Sequence, residues 1–235
     1  MGKSLINMKT RLFTLGLILI LLLPQAYAQK KRKVDTGIHF GIVGGFSMQT
    51  FLGTDYWGEK LPTQLTPGFN VGGNVILPIF SDFYVQPGLL FSMKGTKQDI
   101  LTDDITKTTM LSYIELPLNI LYRPQIGDGH LLIGLGPYAA YGIMGRERTT
   151  SGTITIEIPV RFVSDASDEP STYAYYSGFD AGGQVLVGYE FYNGIFLHLN
   201  SQLGLTKINS DYGLPNDQTS KKNFGFGISV GYRFF

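Results

Sequence analysis

Cysteine is absent from the 235 residues. That excludes a disulfide scaffold, a thiol nucleophile, Cys-ligated zinc and an acylated lipoprotein cysteine. Charge is scarce as well. Asp, Glu, Lys and Arg make up 16% of the chain, against about 25% in soluble globular domains. Neither sign dominates, with 19 basic and 18 acidic residues, so the basic bias of a nucleic-acid binder is missing. Histidine occurs 3 times, and no spacing of these with acids has the form of a metal site. The mean hydropathy of +0.07 is too low for a helical membrane bundle. What the chain does have is glycine, 30 in number, and aromatics at 13%. That aromatic content excludes disorder. The length accommodates one domain, or two small ones.

The single long apolar run is at the start. Lys3, Lys9 and Arg11 precede Leu12 to Leu23, and Pro24-Gln25-Ala26-Tyr27-Ala28 follows. A basic start, an apolar stretch and an Ala-x-Ala site predict a signal peptide over residues 1–28, cut after Ala28. The run is short of the ~20 residues that a spanning helix needs. Removing it leaves 16 basic against 18 acidic residues. Four of those bases, Lys30, Lys31, Arg32 and Lys33, fall in residues 29–36, which predicts a solvated basic linker in the periplasm.

From Gly37 onward the pattern has period two. At the C-terminus Phe224, Phe226, Ile228, Val230, Tyr232 and Phe234 share one face, and Asn223, Gly225, Gly227, Ser229, Gly231 and Arg233 share the other. Side chains alternate across a strand, so one face is apolar and the other small or polar. The same alternation predicts strands near residues 37–48, 68–79, 83–94, 109–122, 130–144, 178–191 and 195–205. The connections at 81–82, 124–129 and 192–194 are short. Those at 49–67, 95–108, 145–177 and 206–221 are long. Residues 37–235 therefore predict an all-β, eight-stranded antiparallel up-and-down transmembrane β-barrel.

Alternation alone does not say which face is outside. The strand charges Lys94, Glu115, Asp180, Glu190 and Arg233 all fall on the polar face. A water-facing surface of Gly, Asn, Gln and Ser with so few charges would be unusual. An enclosed polar face with lipid on the apolar one fits, because closure satisfies every backbone group. Phe80, Phe83, Tyr122, Tyr189, Phe191, Tyr232 and Phe234 cluster toward the short turns. Phe46, Phe69, Phe91, Tyr141, Phe179 and Phe224 cluster toward the long loops. Two aromatic bands match two membrane interfaces. A leader followed by a barrel predicts the outer membrane of a Gram-negative cell, with both termini in the periplasm and four long loops outside.

Gly41 to Phe46, the run Tyr84 to Gly95 (YVQPGLLFSMKG), Ser112 to Leu118 (SYIELPL) and the closing Gly231-Tyr232-Arg233-Phe234 resemble a known family. These are the small outer-membrane barrels described as PorT-like or as the outer membrane protein beta-barrel domain. The resemblance spans nearly the whole chain after the leader, and it implies a fold and a membrane only. The apolar phase ends at Phe234, leaving Phe235 out of step. Tyr232 and Phe234 are the expected assembly signal, read by the barrel assembly machinery.

An eight-stranded barrel is just wide enough to be filled by side chains. Lys94, Glu115, Asp180, Glu190 and Arg233 are expected to pair there as a polar network, since buried charges need partners. Three acids and two bases do not balance, leaving a proton, His39 or His198 to make up the difference. No catalytic set, cofactor site or metal site is expected. Asp99, Asp103, Asp104, Asp165, Asp168 and Glu169 are expected to be solvated loop charges. Ile154, Ile156, Ile158 and Val160 alternate within the third loop and predict a hairpin above the membrane. Tyr173, Tyr175 and Tyr176 follow; exposed, they would favour a protein or glycan partner, and otherwise they pack against the barrel rim. The expected function is non-enzymatic: surface interaction or envelope integrity, with outer-membrane lipid and lipopolysaccharide around the wall and no nucleic acid. The alternatives are an accessory subunit of a secretion or transport machine, then a lipid-modifying enzyme or a small pore.

Overall fold

Glycine- and β-branched-rich segments with period-two patterning build ladders, and the backbone here is almost entirely ladder. The computed structural model describes residues 37–100 and 105–234. The leader and the basic segment expected at 1–36 lie outside the described residues, as does Phe235. The long strands are β1 (His39–Thr54), β3 (Thr66–Phe80), β4 (Phe83–Ile100), β5 (Ile105–Tyr122), β7 (Gly129–Ser151), β10 (Phe179–Glu190), β11 (Ile195–Gly204) and β12 (Ser220–Phe234). Shorter ones are β2 (Thr63–Gln64), β6 (Gln125–Ile126), β8 (Ile154–Phe162) and β9 (Ala174–Tyr176).

The eight long strands form a closed antiparallel ring in the order β1-β3-β4-β5-β7-β10-β11-β12. Closure comes from β12 against β1, running from Phe40 opposite Phe234 to Thr54 opposite Ser220. The join of β7 to β10 spans Tyr141–Phe179 to His130–Glu190. A closed ring has no free edge, so its backbone groups are satisfied without water.

The apolar phase faces outward along every ring strand. Phe40, Ile42 and Phe46 on β1 are 60%, 56% and 77% exposed, while His39, Val43 and Ser47 are buried in the lumen. Exposed Leu116, Leu135, Val185, Leu199 and Val230 continue that surface around the ring. Its aromatics meet across strands, as in Phe83 with Tyr122 at 4.9 Å near the short turns and Phe69 with Phe91 at 5.7 Å nearer the long loops.

Tight curvature leaves no room for a Cβ at some points. One added at Gly136 or Gly182 would lie 1.9 or 2.1 Å from a neighbouring backbone carbonyl, that of Leu118 or Leu203.

The structure shortens the expected loops, beginning with 49–67, where β1 continues in paired strand to Thr54. β4 runs on to Ile100 and β5 starts at Ile105, so the segment 95–108 is mostly paired strand, from Gly95 opposite Met110 to Ile100 opposite Ile105. β7 likewise continues to Ser151 and folds back on β8, giving the hairpin expected there. The wall on that side thus rises well past the aromatic band. A bulge at Ser112/Tyr113 marks the transition. Above it the outward positions turn polar, as at Thr108, Arg146 and Arg148, and the apolar outer stripe that betrays a membrane strand disappears.

Candidate functional site

Inward-facing positions of opposite strands meet across so narrow a ring, and the lumen fills in layers. Nearest the short turns is a charged cluster. Glu190 on β10 accepts from Arg123, 2.6 Å away, and from Arg233 on β12 at 3.2 Å. Arg233 also donates to Asn74 at 2.6 Å and lies 4.8 Å over the ring of Phe196. Ile76, Tyr84, Leu121, Leu132, Leu186 and Phe196 surround this level as an apolar cluster.

The middle layer is a chain of amides. Asn119 donates to Gln86 at 3.1 Å, Gln184 to Asn119 at 2.8 Å, and Gln202 to Gln184 at 2.9 Å. These four, with His198 and Ser229, border a cavity of about 50 Å³. A polar cavity of that size has room for a few waters. His198 stacks on Phe196 at 5.8 Å, and His39 is buried on the lumen face of β1.

Above the amides is the second charged cluster. Lys94 pairs with Glu115 at 2.8 Å and Asp180 at 3.2 Å. Gln202 donates to Glu115 at 2.6 Å, linking this layer to the one below. Asp180 also accepts from the Tyr138 hydroxyl at 3.2 Å and from Asn223 at 2.9 Å. The ammonium of Lys94 sits 4.1 Å over the Tyr138 ring. Phe51, Leu111, Tyr113 and Ile208 seal the top as a second apolar cluster.

All five charged residues singled out in the sequence therefore point into the lumen, in two groups: Lys94 with Glu115 and Asp180, and Arg233 with Glu190. The cation that balances the count is Arg123, fully buried, rather than a proton or a histidine. It keeps the odd-numbered inward phase of Tyr113, Glu115, Asn119 and Leu121, which is the signal that could have found it. The expected strand stops at Tyr122, one residue short. Buried ion pairs of this kind say little about net stability, but removing a partner that leaves buried charge uncompensated is costly.

At the mouth, Glu147 accepts from Tyr176 at 3.1 Å and pairs with Lys107 at 2.7 Å. Burial and the carboxylate of Glu147 push the Tyr176 phenol well above its ordinary pKa. Tyr175 and Tyr176 are both 3% exposed. They pack against the rim and do not form the exposed aromatic patch that would bind a protein or glycan. Among the loop acids, Asp99 accepts from Gln64 and Thr106, and Asp165 from Ser167. Asp103 and Asp104 lie outside the described residues. Tyr232 and Phe234 face outward near the short turns, ring to ring at 5.1 Å.

Solved structures similar to the chain include Ail, the attachment invasion locus protein of Yersinia pestis, in complex with the heparin analogue sucrose octasulfate. It is 15% identical, over 84% of this chain and 99% of that one, with a TM-score of 0.40. OprG from Pseudomonas aeruginosa is 14% identical over 85% and 97%, also at 0.40. The outer membrane protease OmpT from Escherichia coli is 10% identical over 87% and 99%, again at 0.40. No curated protein matches. The family model for the outer membrane protein beta-barrel domain matches residues 27–210, most of the chain. With a closed ring whose outer surface is apolar, this chain belongs to the outer membrane protein beta-barrel domain family and resides in the outer membrane.

Proposed function

We propose that this protein is a closed, non-enzymatic barrel that holds a binding surface above the outer membrane. The observation that carries this is the asymmetry of the wall: a lumen filled by ion pairs and amides below, and a raised β7–β8 hairpin above. The filled lumen gives solutes no path, so the barrel serves as an anchor. Residues 1–28 are its cleaved leader and 29–36 its periplasmic basic linker. Both termini and the short turns face the periplasm, and the long-loop end faces outside. The apolar wall contacts outer-membrane lipid, and Tyr232 with Phe234 present the assembly signal to the barrel assembly machinery.

A second role has one observation in its favour. Ile154 and Ile156 are 66% and 61% exposed at the hairpin tip, a surface suited to docking a protein partner, such as a secretion or transport machine.

The absence of native cysteine makes the test clean. Single Ile154→Cys and Gln125→Cys variants are treated on intact cells with a membrane-impermeant maleimide. Ile154→Cys labels directly and Gln125→Cys only after the outer membrane is permeabilised; the reverse pattern overturns the orientation. In planar bilayers the purified protein should show no lasting conductance at the nanosiemens scale, and a stable open channel would overturn the anchor role. Crosslinking at Ile154 that captures a stoichiometric envelope protein would favour the machine subunit.

A further inference from the structure

The raised wall carries charge on its outward side. Pairing sets Lys97 beside Thr108, Thr108 beside Arg148, and Arg148 beside Glu157. One step closer to the membrane, Arg146 lies between Met110 and Pro159. Alternation settles which way these point. Glu147, between the two arginines, turns inward and is buried, whereas Arg146 and Arg148 are 52% and 50% exposed. Arg161 on β8 is also exposed, its guanidinium 3.7 Å from the ring centre of Tyr173. Directly below this row, Tyr141, Ile143 and Met144 are exposed on the lipid-facing surface. The cations therefore stand at the height where hydrocarbon gives way to headgroups.

Among the described residues of this face, two carboxylates oppose four cations. Glu157 accepts from Arg148 at 3.1 and 2.8 Å and lies 3.8 Å from Arg146. Asp99 is 3.9 Å from Lys97. The surplus is positive, and it lies mainly on arginines whose forked donors match phosphate. The apolar surface beneath them suits acyl chains, so a ligand with both parts would be held at both ends.

We propose that the outward face of the β4–β5–β7–β8 wall binds the phosphate groups of lipid A, the phosphorylated glycolipid of the outer leaflet. This rests on the long-loop end facing outside, as argued above. Arg146 and Arg148 contact phosphate, Arg161 and Lys97 flank them, and Glu157 competes with the ligand for both central arginines. The site needs no divalent cation, because the protein itself supplies the positive charge.

The test uses the full mature chain in detergent with chelator present. It is titrated with bisphosphorylated lipid A, with the same lipid stripped of phosphate, and with phosphatidylglycerol, and binding is followed by native mass spectrometry. Bisphosphorylated lipid A should bind tightest. The Arg146→Gln/Arg148→Gln variant should bind it at least tenfold more weakly, while the charge-matched Lys60→Gln/Lys207→Gln variant should match the unmodified protein. Glu157→Gln should bind it more tightly, since the competing carboxylate is gone; this variant decides the matter even if the double arginine variant fails to fold. Equal binding with and without the two arginines overturns the proposal, as does an equal loss in the lysine control or a weaker Glu157→Gln. Arginine-dependent preference for phosphatidylglycerol overturns the assignment to lipid A. Maleimide labelling at Ile154→Cys then shows separately whether the orientation has failed too.

Discussion

Glu190 is a lumen residue whose removal should be costly. Its carboxylate is fully buried between Arg123 and Arg233, at 2.6 and 3.2 Å. At an effective dielectric constant near 20, a pair of unit charges ~4 Å apart attracts by about 4 kcal/mol. Glu190→Gln keeps the shape and removes the negative charge that the two guanidinium groups share. Breaking a buried pair by removing one partner costs about 3–5 kcal/mol. Arg123→Met, by contrast, leaves the neutral pair of Glu190 with Arg233, and the loss should be nearer 1–3 kcal/mol, roughly that of a charge-assisted hydrogen bond. The order is the prediction: Glu190→Gln is the worse variant by about 2 kcal/mol, the difference between those two ranges. Urea unfolding in lipid vesicles, followed by far-UV circular dichroism and by the gel mobility of unheated samples, would measure it. Fluorescence serves poorly, because the one tryptophan, Trp57, is exposed in a loop. Arg123→Met as damaging as Glu190→Gln would refute the reasoning, as would two variants both indistinguishable from the unmodified protein.

Adjacent glycines on β10 should behave oppositely. Gly182→Ala drives a methyl against the Leu203 carbonyl and should sharply reduce the folded fraction on unheated gels, while Gly183→Ala meets nothing within 4 Å and should leave it unchanged. Tyr138→Phe removes one of the donors to Asp180 and should cost about 1 kcal/mol in the same unfolding assay. The Glu157 carboxyl lies below its ordinary pKa because Arg148 donates to it. Its contribution to hairpin order is therefore full above the usual carboxylate range and is lost as pH falls through the lowered value. Hydrogen exchange over residues 147–157, corrected for intrinsic rate, should quicken on going from neutral pH to about pH 3, and unchanged protection would contradict it. Phe234→Ala should lower the yield of inserted barrel in cells more than Phe235→Ala, measured by outer-membrane fractionation; equal losses would dissociate assembly from the apolar phase.

The alternation of Phe224 to Phe234 with Asn223 to Arg233 was enough to specify strands, a lipid-facing side and a polar lumen, because a strand has only two faces and a bilayer rewards one of them. Lys94, Glu115, Asp180, Glu190 and Arg233 could be placed on the inner face for the same reason. Tertiary structure decided which of them meet. Lys94 finds Asp180 across 86 positions of sequence and Arg123 finds Glu190 across 67, contacts that exist only once the ring has closed. Arg123 was hidden at the end of its strand, beside Pro124. The rise of β4, β5 and β7 past the aromatic band was hidden too, since there the outward face meets water and turns polar, and the sequence loses its apolar stripe. Burial of Tyr175 and Tyr176 depends on where the β8 hairpin folds back, a choice made by packing at the rim that local pattern does not encode.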